Sequence, residues 1–330
     1  MTDPVMTDEQ ANAQIQAQGL TFEDAFEQTK NKIEMALKTV PLLVRQFTQY
    51  LAESKGKYLR ARAVLTCAMD GADRISTDAV KFAAAVEILH LATLVHDDVI
   101  DDAETRRGIP TLQKKFGKKT AVVCGDFLLS LALSQLSEGF PRDKYLDLQV
   151  PNYLGRLCVG ELSEYINNDN LDLTARKYLR IISGKTAALF EASFFGGCVT
   201  VEKDEQVTKI YRRLGHYVGM IFQLTDDCID FEEGEEVAQK SVQSDYEQGV
   251  ITLPLIYALR DPDVKKTAAG RKMTRREINQ AVLKSGGLVS AKNIAKIYYD
   301  KAWAIIGKLE LTETKRRGLE DILNKAFRIA

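Results

Sequence analysis

Apolar residues recur at three- and four-residue spacing along most of the chain, which is the periodicity of a helix with one buried face. Residues 82–89 are apolar nearly all round, as in a helix at the centre of a multi-helix array. Convincing strand-like alternation is absent, so we predict an all-α fold. The predicted long helices cover residues 26–52, 79–95, 120–136, 178–196, 208–224 and 291–306.

Two acidic clusters with the spacing Asp-Asp-x-x-Asp each follow an apolar run. They consist of Asp97, Asp98 and Asp101, and of Asp226, Asp227 and Asp230. On a helix, positions i, i+1 and i+4 share one side, so each cluster directs three mutually repelling carboxylates the same way. A hard divalent cation relieves that repulsion, and oxygen-only ligands suit Mg²⁺, which takes further ligands from substrate phosphates. A solvated helical face explains one such run, but two copies favour a clamp for a diphosphate.

The chain has 330 residues with 45% hydrophobic content, which is enough for one large core. We predict a flexible N-terminal leader over residues 1–20 and a single domain over 21–330. No run of about 18 uncharged apolar residues occurs, so no membrane span is predicted. The polar first residues also lack a signal-peptide core. These features favour a cytoplasmic protein.

Charge and cysteine content narrow the function classes. The net charge of −1 argues against nucleic acid as the main partner. The five cysteines are scattered without a C-x-x-C pair, so no zinc site is predicted. Their odd number fits a reducing compartment. Residues 265–330 hold 16 Lys/Arg and 6 Asp/Glu, a surplus of +10. This basic segment is either a solvated helical face or a surface for weak docking to an anionic membrane.

Further motifs surround the acidic clusters. Gly184-Lys185-Thr186 lacks the upstream glycine of a P-loop, which excludes that site. In order, the motifs are G-K-x-L-R at 56–60, H-D-D-x-x-D-D followed by R-R-G over 96–108, G-D-F-L-L at 125–129, G-E at 160–161, G-K-T at 184–186 and F-Q-L-T-D-D at 222–227. From about residue 56 to 259 the chain resembles the trans-type isoprenyl diphosphate synthases, or polyprenyl synthetases. Departures at Tyr58 and Ala61 leave every cluster aspartate in place.

The resemblance implies a large isoprenoid-synthase-type helical bundle, with a central cavity flanked by the two Asp-rich helices. It implies two or three Mg²⁺ ions per active site, held by all six cluster aspartates. The implied catalytic residues are Asp97, Asp98, Asp101, Arg106, Lys185, Asp226 and Lys240. The implied substrate ligands are Arg106, Lys185, Thr186, Gln223 and Lys240 for the allylic diphosphate, and Lys57, Arg60, His90, Arg107 and Phe222 for isopentenyl diphosphate.

The implied reaction joins isopentenyl diphosphate head-to-tail to an allylic diphosphate such as farnesyl diphosphate. The carbon–oxygen bond of the allylic substrate breaks, and cations stabilise the departing charge. Water must be excluded from the allylic cation, and the polar stretch 232–249 is a candidate lid. The resemblance also implies a homodimer, or an enzyme that needs a small accessory subunit, and quinone side chains as a destination for the product.

Product length is predicted from the residues before the first cluster. We expect the growing chain to run along this helix past Thr93, Ala92 and Leu89, none of which is aromatic. Short-chain members of the family carry a bulky aromatic residue near this point. The open floor therefore predicts a product longer than farnesyl, and longer than geranylgeranyl, diphosphate.

Two rival functions fit the sequence less well. A terpene cyclase uses a second motif that needs Ser or Thr where Asp230 stands and Glu where Gly234 stands, and neither is present. A regulatory subunit or binding protein that kept the fold would be expected to have lost one acidic cluster, and both clusters are intact. The sequence therefore favours the synthase.

Overall fold

The computed structural model describes residues 19–53, 56–139, 152–232 and 246–328. Within these residues the chain forms fifteen helices and one two-stranded hairpin, which confirms the predicted all-α fold. The backbone divides into two compact units. The first comprises the described residues within Met1–Val150, Ser193–Tyr211 and Glu310–Leu319, and the second those within Pro151–Ala192, Arg212–Leu309 and Glu320–Ala330.

The first unit is built around one long buried helix, α4. Ser76 begins this helix by accepting the backbone N–H of Ala79 at 3.3 Å. Ala83, Ala84 and Ala85 are fully buried, as the apolar stretch 82–89 predicted. The helices of this unit are α1 (Phe22–Lys38), α2 (Leu42–Glu53), α3 (Leu59–Cys67), α4 (Thr77–Ile100), α5 (Leu112–Phe116) and α6 (Lys118–Gly139).

A short antiparallel hairpin follows α4, where no strand was predicted. Its strands are β1 (Thr105–Arg106) and β2 (Ile109–Pro110). The two turn residues, Arg107 and Gly108, have φ angles of 52° and 80°. Two consecutive positive φ angles are typical of the tight turns that match the twist of a hairpin. The turn therefore sends Arg106 and Arg107 in different directions.

Two predicted helices are each divided in the structure. The predicted helix 26–52 is interrupted between Lys38 and Leu42, because Pro41 cannot continue a helix but is tolerated at the start of the next one. The predicted helix 178–196 is interrupted at Thr186, which ends one helix and precedes the next.

The second unit packs around a core that includes Leu224, Leu253 and Val282, all fully buried. Its helices are α7 (Tyr153–Ile166), α8 (Ala175–Lys185), α11 (Leu253–Ala258), α12 (Pro262–Gly270), α13 (Arg275–Lys284) and α14 (Gly287–Lys308). The other helices within the described residues are α9 (Ala187–Val199), α10 (Glu205–Glu232) and α15 (Glu313–Phe327).

Helices α7 and α8 approach closely where two glycines meet. A Cβ atom on Gly160 would lie 2.2 Å from the backbone nitrogen of Lys185 and 2.6 Å from the carbonyl carbon of Gly184. Only a residue without a side chain permits this distance. The close approach places the side chains beside Gly160 within reach of Lys185.

By length and hydropathy alone, two helices among the described residues are long and apolar enough to cross a membrane: Thr77–Ile100 and the Lys118–Ser137 part of α6. The apolar window of α4 is 56% buried inside the protein, as expected for a helix in a folded core.

Candidate active site

The first acidic cluster lies at the C-terminal end of α4. Asp97 and Asp98 occupy its last turn, and Asp101 is the residue that ends it. The C-terminus of a helix carries a partial negative charge, which disfavours further carboxylates there. At this position a bound cation is stabilised, whereas a carboxylate without a compensating positive charge is destabilised.

Arg106 compensates one of these carboxylates. Its Nε donates to Oδ1 of Asp98 at 2.6 Å. Burial raises the pKa of Asp98, while the charge and hydrogen bond of Arg106 oppose that shift. The arginine that the sequence predicted as a diphosphate ligand is thus held beside the metal cluster by one of its aspartates.

The donor set of the first cluster fits magnesium. All its donors are carboxylate oxygens, which are the ligands that Mg²⁺ prefers. Among the described residues no three His, Cys, Asp or Glu side chains already converge as a metal site. Mg²⁺ commonly takes only one or two carboxylates and completes its shell with water and substrate phosphates. The cluster therefore fits an ion that binds together with a diphosphate.

A cavity of about 830 Å³ lies in the first unit, beside α4. Its cationic wall contains Lys57 and Arg107, with His90 beside them, and all three are predicted ligands of isopentenyl diphosphate. Its apolar wall contains Phe26, Ile33, Leu37, Leu51, Leu91 and Leu94. A pocket with a cationic end and an apolar end suits a small molecule that has both an anionic and a hydrocarbon part.

The local backbone explains how the cationic wall forms. Tyr58 has a φ angle of 51° and begins α3, so that Lys57 precedes the helix and Arg60 lies in its first turn. Gly56 allows the guanidinium of Arg107 to approach the backbone, because a Cβ there would lie 3.2 Å from Nη1. The prediction that the G-K-x-L-R motif lies near a helix start is confirmed.

The protonation of this wall follows from burial. Arg60, unlike Lys57, His90 and Arg107, is not among the residues that line the cavity. Burial lowers the pKa of Arg60 to about 10, so its guanidinium stays charged at neutral pH. Burial and the charges of Arg60, Arg107 and Arg106 hold the pKa of His90 well below its usual value. His90 is therefore neutral at pH 7 and acts through hydrogen bonds, whereas the arginines supply charge.

The three residues predicted to control product length lie on α4 away from this cavity. Leu89 and Ala92 are buried, and the hydroxyl of Thr93 donates to the carbonyl of His90 at 2.8 Å. The cavity is lined from α4 by Glu87, His90, Leu91 and Leu94, and by none of those three. One helix thus presents two separate groups of residues, and the prediction for product length remains to be tested.

The second acidic cluster lies near the end of α10, and its first two aspartates have different surroundings. Asp226 is exposed and pairs with the guanidinium of Arg328. Asp227 is 4% exposed, and its two oxygens accept hydrogen bonds from the hydroxyl of Tyr178 and from Nε2 of Gln223, the latter at 2.7 Å. Burial raises the pKa of Asp227 to about 7. The backbone of Asp230 continues α10, and its side chain is outside the described atoms.

A chain of hydrogen bonds connects two motifs of the second unit. The hydroxyl of Thr186 donates to Oε1 of Gln223 at 2.6 Å, and Gln223 in turn donates to Asp227. The break between α8 and α9 places Thr186 where it can reach Gln223. Two predicted diphosphate ligands are thereby tied to an aspartate of the second cluster.

Lys185, the neighbour of Thr186, is paired with two glutamates of α7. Its Nζ lies 3.1 Å from Oε1 of Glu161 and also contacts Glu164. Glu161 was noted in the sequence without a role, and Glu164, Tyr178 and Arg328 were not singled out. The sequence signal that could have found the two glutamates is their three-residue spacing, which places Glu161 and Glu164 on one face of α7.

Two predicted site residues remain. Phe222 is partly buried, with its ring centroid 5.4 Å from that of Phe190. Lys240, and the part of the candidate lid 232–249 that spans 233–245, lie outside the described residues.

Comparison with known proteins identifies relatives of this chain. Residues 41–285 match the family model described as polyprenyl synthetase. Component 2 of the heptaprenyl diphosphate synthase of Geobacillus stearothermophilus is 35% identical over 273 residues, covering 81% of this chain and 84% of the relative.

Two solved structures are similar over nearly the whole chain. Heptaprenyl diphosphate synthase from Staphylococcus aureus gives a TM-score of 0.83 at 32% identity, covering 93% of this chain and 98% of that one. A polyprenyl synthase from Caulobacter crescentus CB15, complexed with calcium and isoprenyl diphosphate, gives a TM-score of 0.82 at 28% identity, covering 92% and 94%.

Proposed function

The chain belongs to the polyprenyl synthetase family and is a prenyltransferase, and on that premise we propose which reaction it performs. It condenses isopentenyl diphosphate with an allylic diphosphate, head-to-tail and repeatedly, to an all-trans polyprenyl diphosphate of medium or long chain. The observation that carries the proposal is the cavity beside α4, which combines Lys57, His90 and Arg107 with an apolar wall. The first acidic cluster begins only a few residues further along the same helix.

The allylic diphosphate is proposed to bind at the acidic clusters with Mg²⁺. Asp97, Asp98 and Asp101, and separately Asp226, would hold the ions. When bound, Mg²⁺ neutralises the diphosphate and makes it a better leaving group. Asp227 supports the second cluster by orienting Gln223, because both its oxygens already accept protein hydrogen bonds.

The remaining groups bind and orient the substrates. Arg106 and Lys185 stabilise the negative charge that develops on the departing diphosphate, which is electrostatic catalysis at the leaving group. Lys57, Arg60 and Arg107 bind the diphosphate of isopentenyl diphosphate. Since His90 is neutral, it contributes hydrogen bonds to the substrate and does not act as a positively charged imidazolium.

The product is proposed to be longer than geranylgeranyl diphosphate. The names of two relatives, both heptaprenyl diphosphate synthases, support a chain of this class. The small side chain of Ala92 on α4 supports it independently. A chain of this length suits the side chain of a quinone, which we propose as its destination.

The assembly is proposed to be a homodimer. Helix α7 exposes Val159, Leu162, Tyr165 and Ile166, each at least 58% accessible. An apolar row of this kind on one helix is typical of a protein–protein contact. The name of the Geobacillus relative contains "component 2", so a second, smaller polypeptide is the alternative partner.

A product assay tests the proposed function. Purified protein is incubated with labelled isopentenyl diphosphate, farnesyl diphosphate and Mg²⁺, with and without EDTA, and the dephosphorylated products are sized. A Mg²⁺-dependent ladder that ends at a long polyprenol is the expected result. Folded protein that gives no product from dimethylallyl, geranyl or farnesyl primers contradicts the proposal that this chain acts alone. Light scattering on the same sample measures the oligomeric state.

A further inference from the structure

Four glutamates line the cavity, and one of them, Glu87, lies one helical turn from His90 on α4, where charge alone disfavours a carboxylate beside the predicted anion ligands. Glu87 lines the cavity from α4, on the same helical face as His90, Leu91 and Leu94. A carboxylate near an anion-binding site weakens binding through Coulomb repulsion. Its presence among these cations therefore needs another physical reason.

The backbone contacts of Glu87 supply that reason. Its Oε1 accepts the backbone N–H of Ala61 at 2.8 Å, and the backbone N–H of Arg60 also stabilises the carboxylate. Both N–H groups lie in the first turn of α3, where they have no partner within the helix. Tyr58, which begins α3, makes no side-chain capping hydrogen bond. Glu87 therefore caps α3 from a neighbouring helix.

Glu87 also faces two side-chain cations. Burial raises the pKa of Glu87, whereas the backbone hydrogen bonds and the charges of Arg60 and Arg107 lower it. In return, Glu87 is the first of the charges that keep the buried Arg60 protonated. A carboxylate that shares a poorly hydrated region with guanidinium groups stabilises their charge and restricts their rotamers.

From these contacts we propose that Glu87 is a positioning residue of the isopentenyl diphosphate site. It holds the start of α3, which carries Arg60, in place, and it orients Arg107 in the cavity wall toward the diphosphate. The proposal rests on the proposed function, because it names a further residue of that same site. It differs from a purely structural role, which would affect both substrates alike.

The test is Glu87→Gln, which keeps the length of the side chain and an oxygen for the Ala61 N–H but removes the charge. We expect KM for isopentenyl diphosphate to rise about tenfold, while kcat and KM for the allylic substrate change by less than about twofold. Titration calorimetry with isopentenyl diphosphate alone should show the same loss of affinity. Circular dichroism checks that the variant is folded.

Asp70→Asn is the matched control. Oδ1 of Asp70 accepts the backbone N–H groups of Ala72 and Arg74 at 2.8 and 2.9 Å, close to the other end of α3. This carboxylate thus makes backbone contacts like those of Glu87 but does not line the cavity. Its substitution should leave both KM values unchanged.

The outcomes separate the explanations. If KM for isopentenyl diphosphate falls or stays constant in Glu87→Gln, the positioning role is wrong, since removal of mere repulsion strengthens anion binding. Parallel changes for both substrates together with a lower Tm would make Glu87 structural only. If Glu87→Gln does not fold, Glu87→Asp, which withdraws the oxygen from Ala61, gives the same KM comparison. Failure of the proposed function can be told apart from failure of the positioning role, because in that case the unsubstituted protein itself forms no product.

Discussion

Substitution of Ala92 by phenylalanine should shorten the product. Ala92 is 2% exposed and lies on α4 five residues before Asp97. At 1.5 Å per residue this position is about 7.5 Å along the helix axis from the first metal-binding aspartate. A benzyl group there would obstruct a hydrocarbon chain that follows the helix past Ala92 toward Leu89.

The expected length follows from that distance. An extended isoprene unit adds four bonds of about 1.5 Å, or roughly 5 Å along the chain. A barrier about 7.5 Å from Asp97 leaves room for roughly one or two units. A barrier at Leu89, about 12 Å from Asp97, allows about one more unit. Ala92→Phe should therefore give mainly geranyl diphosphate, and Leu89→Phe a somewhat longer product.

The assay uses dimethylallyl diphosphate as primer and sizes the dephosphorylated products by chromatography. Leu91→Phe is the matched control, because Leu91 adjoins Ala92 but lines the cavity that contains Lys57 and Arg107, and it should leave product length unchanged. Insertion of a large side chain into a packed core costs about 1–3 kcal/mol, so Tm is measured for each variant. An unchanged product distribution from a folded Ala92→Phe protein would refute the proposed path of the chain.

Three further predictions concern the second unit. Tyr178→Phe removes only the hydroxyl that donates to Asp227, and kcat/KM for the allylic substrate should fall about 10- to 100-fold, measured by steady-state kinetics. Gly160→Ala places a Cβ 2.2 Å from the backbone nitrogen of Lys185, so thermal denaturation should show a destabilisation of about 1–3 kcal/mol, together with weaker allylic binding. Arg328→Ala removes an exposed ion pair, and stability should change by less than about 1 kcal/mol while the Mg²⁺ concentration for half-maximal activity falls. A higher Mg²⁺ requirement would instead mean that this arginine binds the diphosphate.

The sequence predicted the parts of the fold that depend on local periodicity. Burial of the middle of α4 followed from its apolar stretch at 82–89, and the start of α3 near Lys57 followed from the adjacent glycine. The ends of helices were harder to predict from the sequence. The α1–α2 break follows from Pro41. At Thr186 the polar stretch Ser183-Gly184-Lys185-Thr186 is short, and apolar residues at helical spacing continue on both sides of it, so the break was not predicted.

The partners of the site residues could not be predicted, because they depend on contacts between distant positions. Tyr178 and Asp227 are 49 residues apart and meet only after α8 and α10 have packed. The bond between Arg106 and Asp98 depends on the β1–β2 hairpin, whose strands are only two residues long. Tyr178 lies on an apolar helical face, which predicts a core residue, and it is buried in the structure. Its hydroxyl acquires a role only from the carboxylate opposite.

The paired charges have a consequence for how the site binds its substrate. Arg106 is held by Asp98, and Lys185 is held by Glu161 and Glu164. If these cations bind the diphosphate as proposed, each would exchange a carboxylate for a phosphate oxygen, so binding would gain only the difference between two charge-assisted contacts. Mg²⁺ held by Asp98 would favour the exchange there, because a carboxylate that ligates the ion no longer needs the guanidinium. Metal and diphosphate would therefore stabilise each other's binding at Asp98 and Arg106.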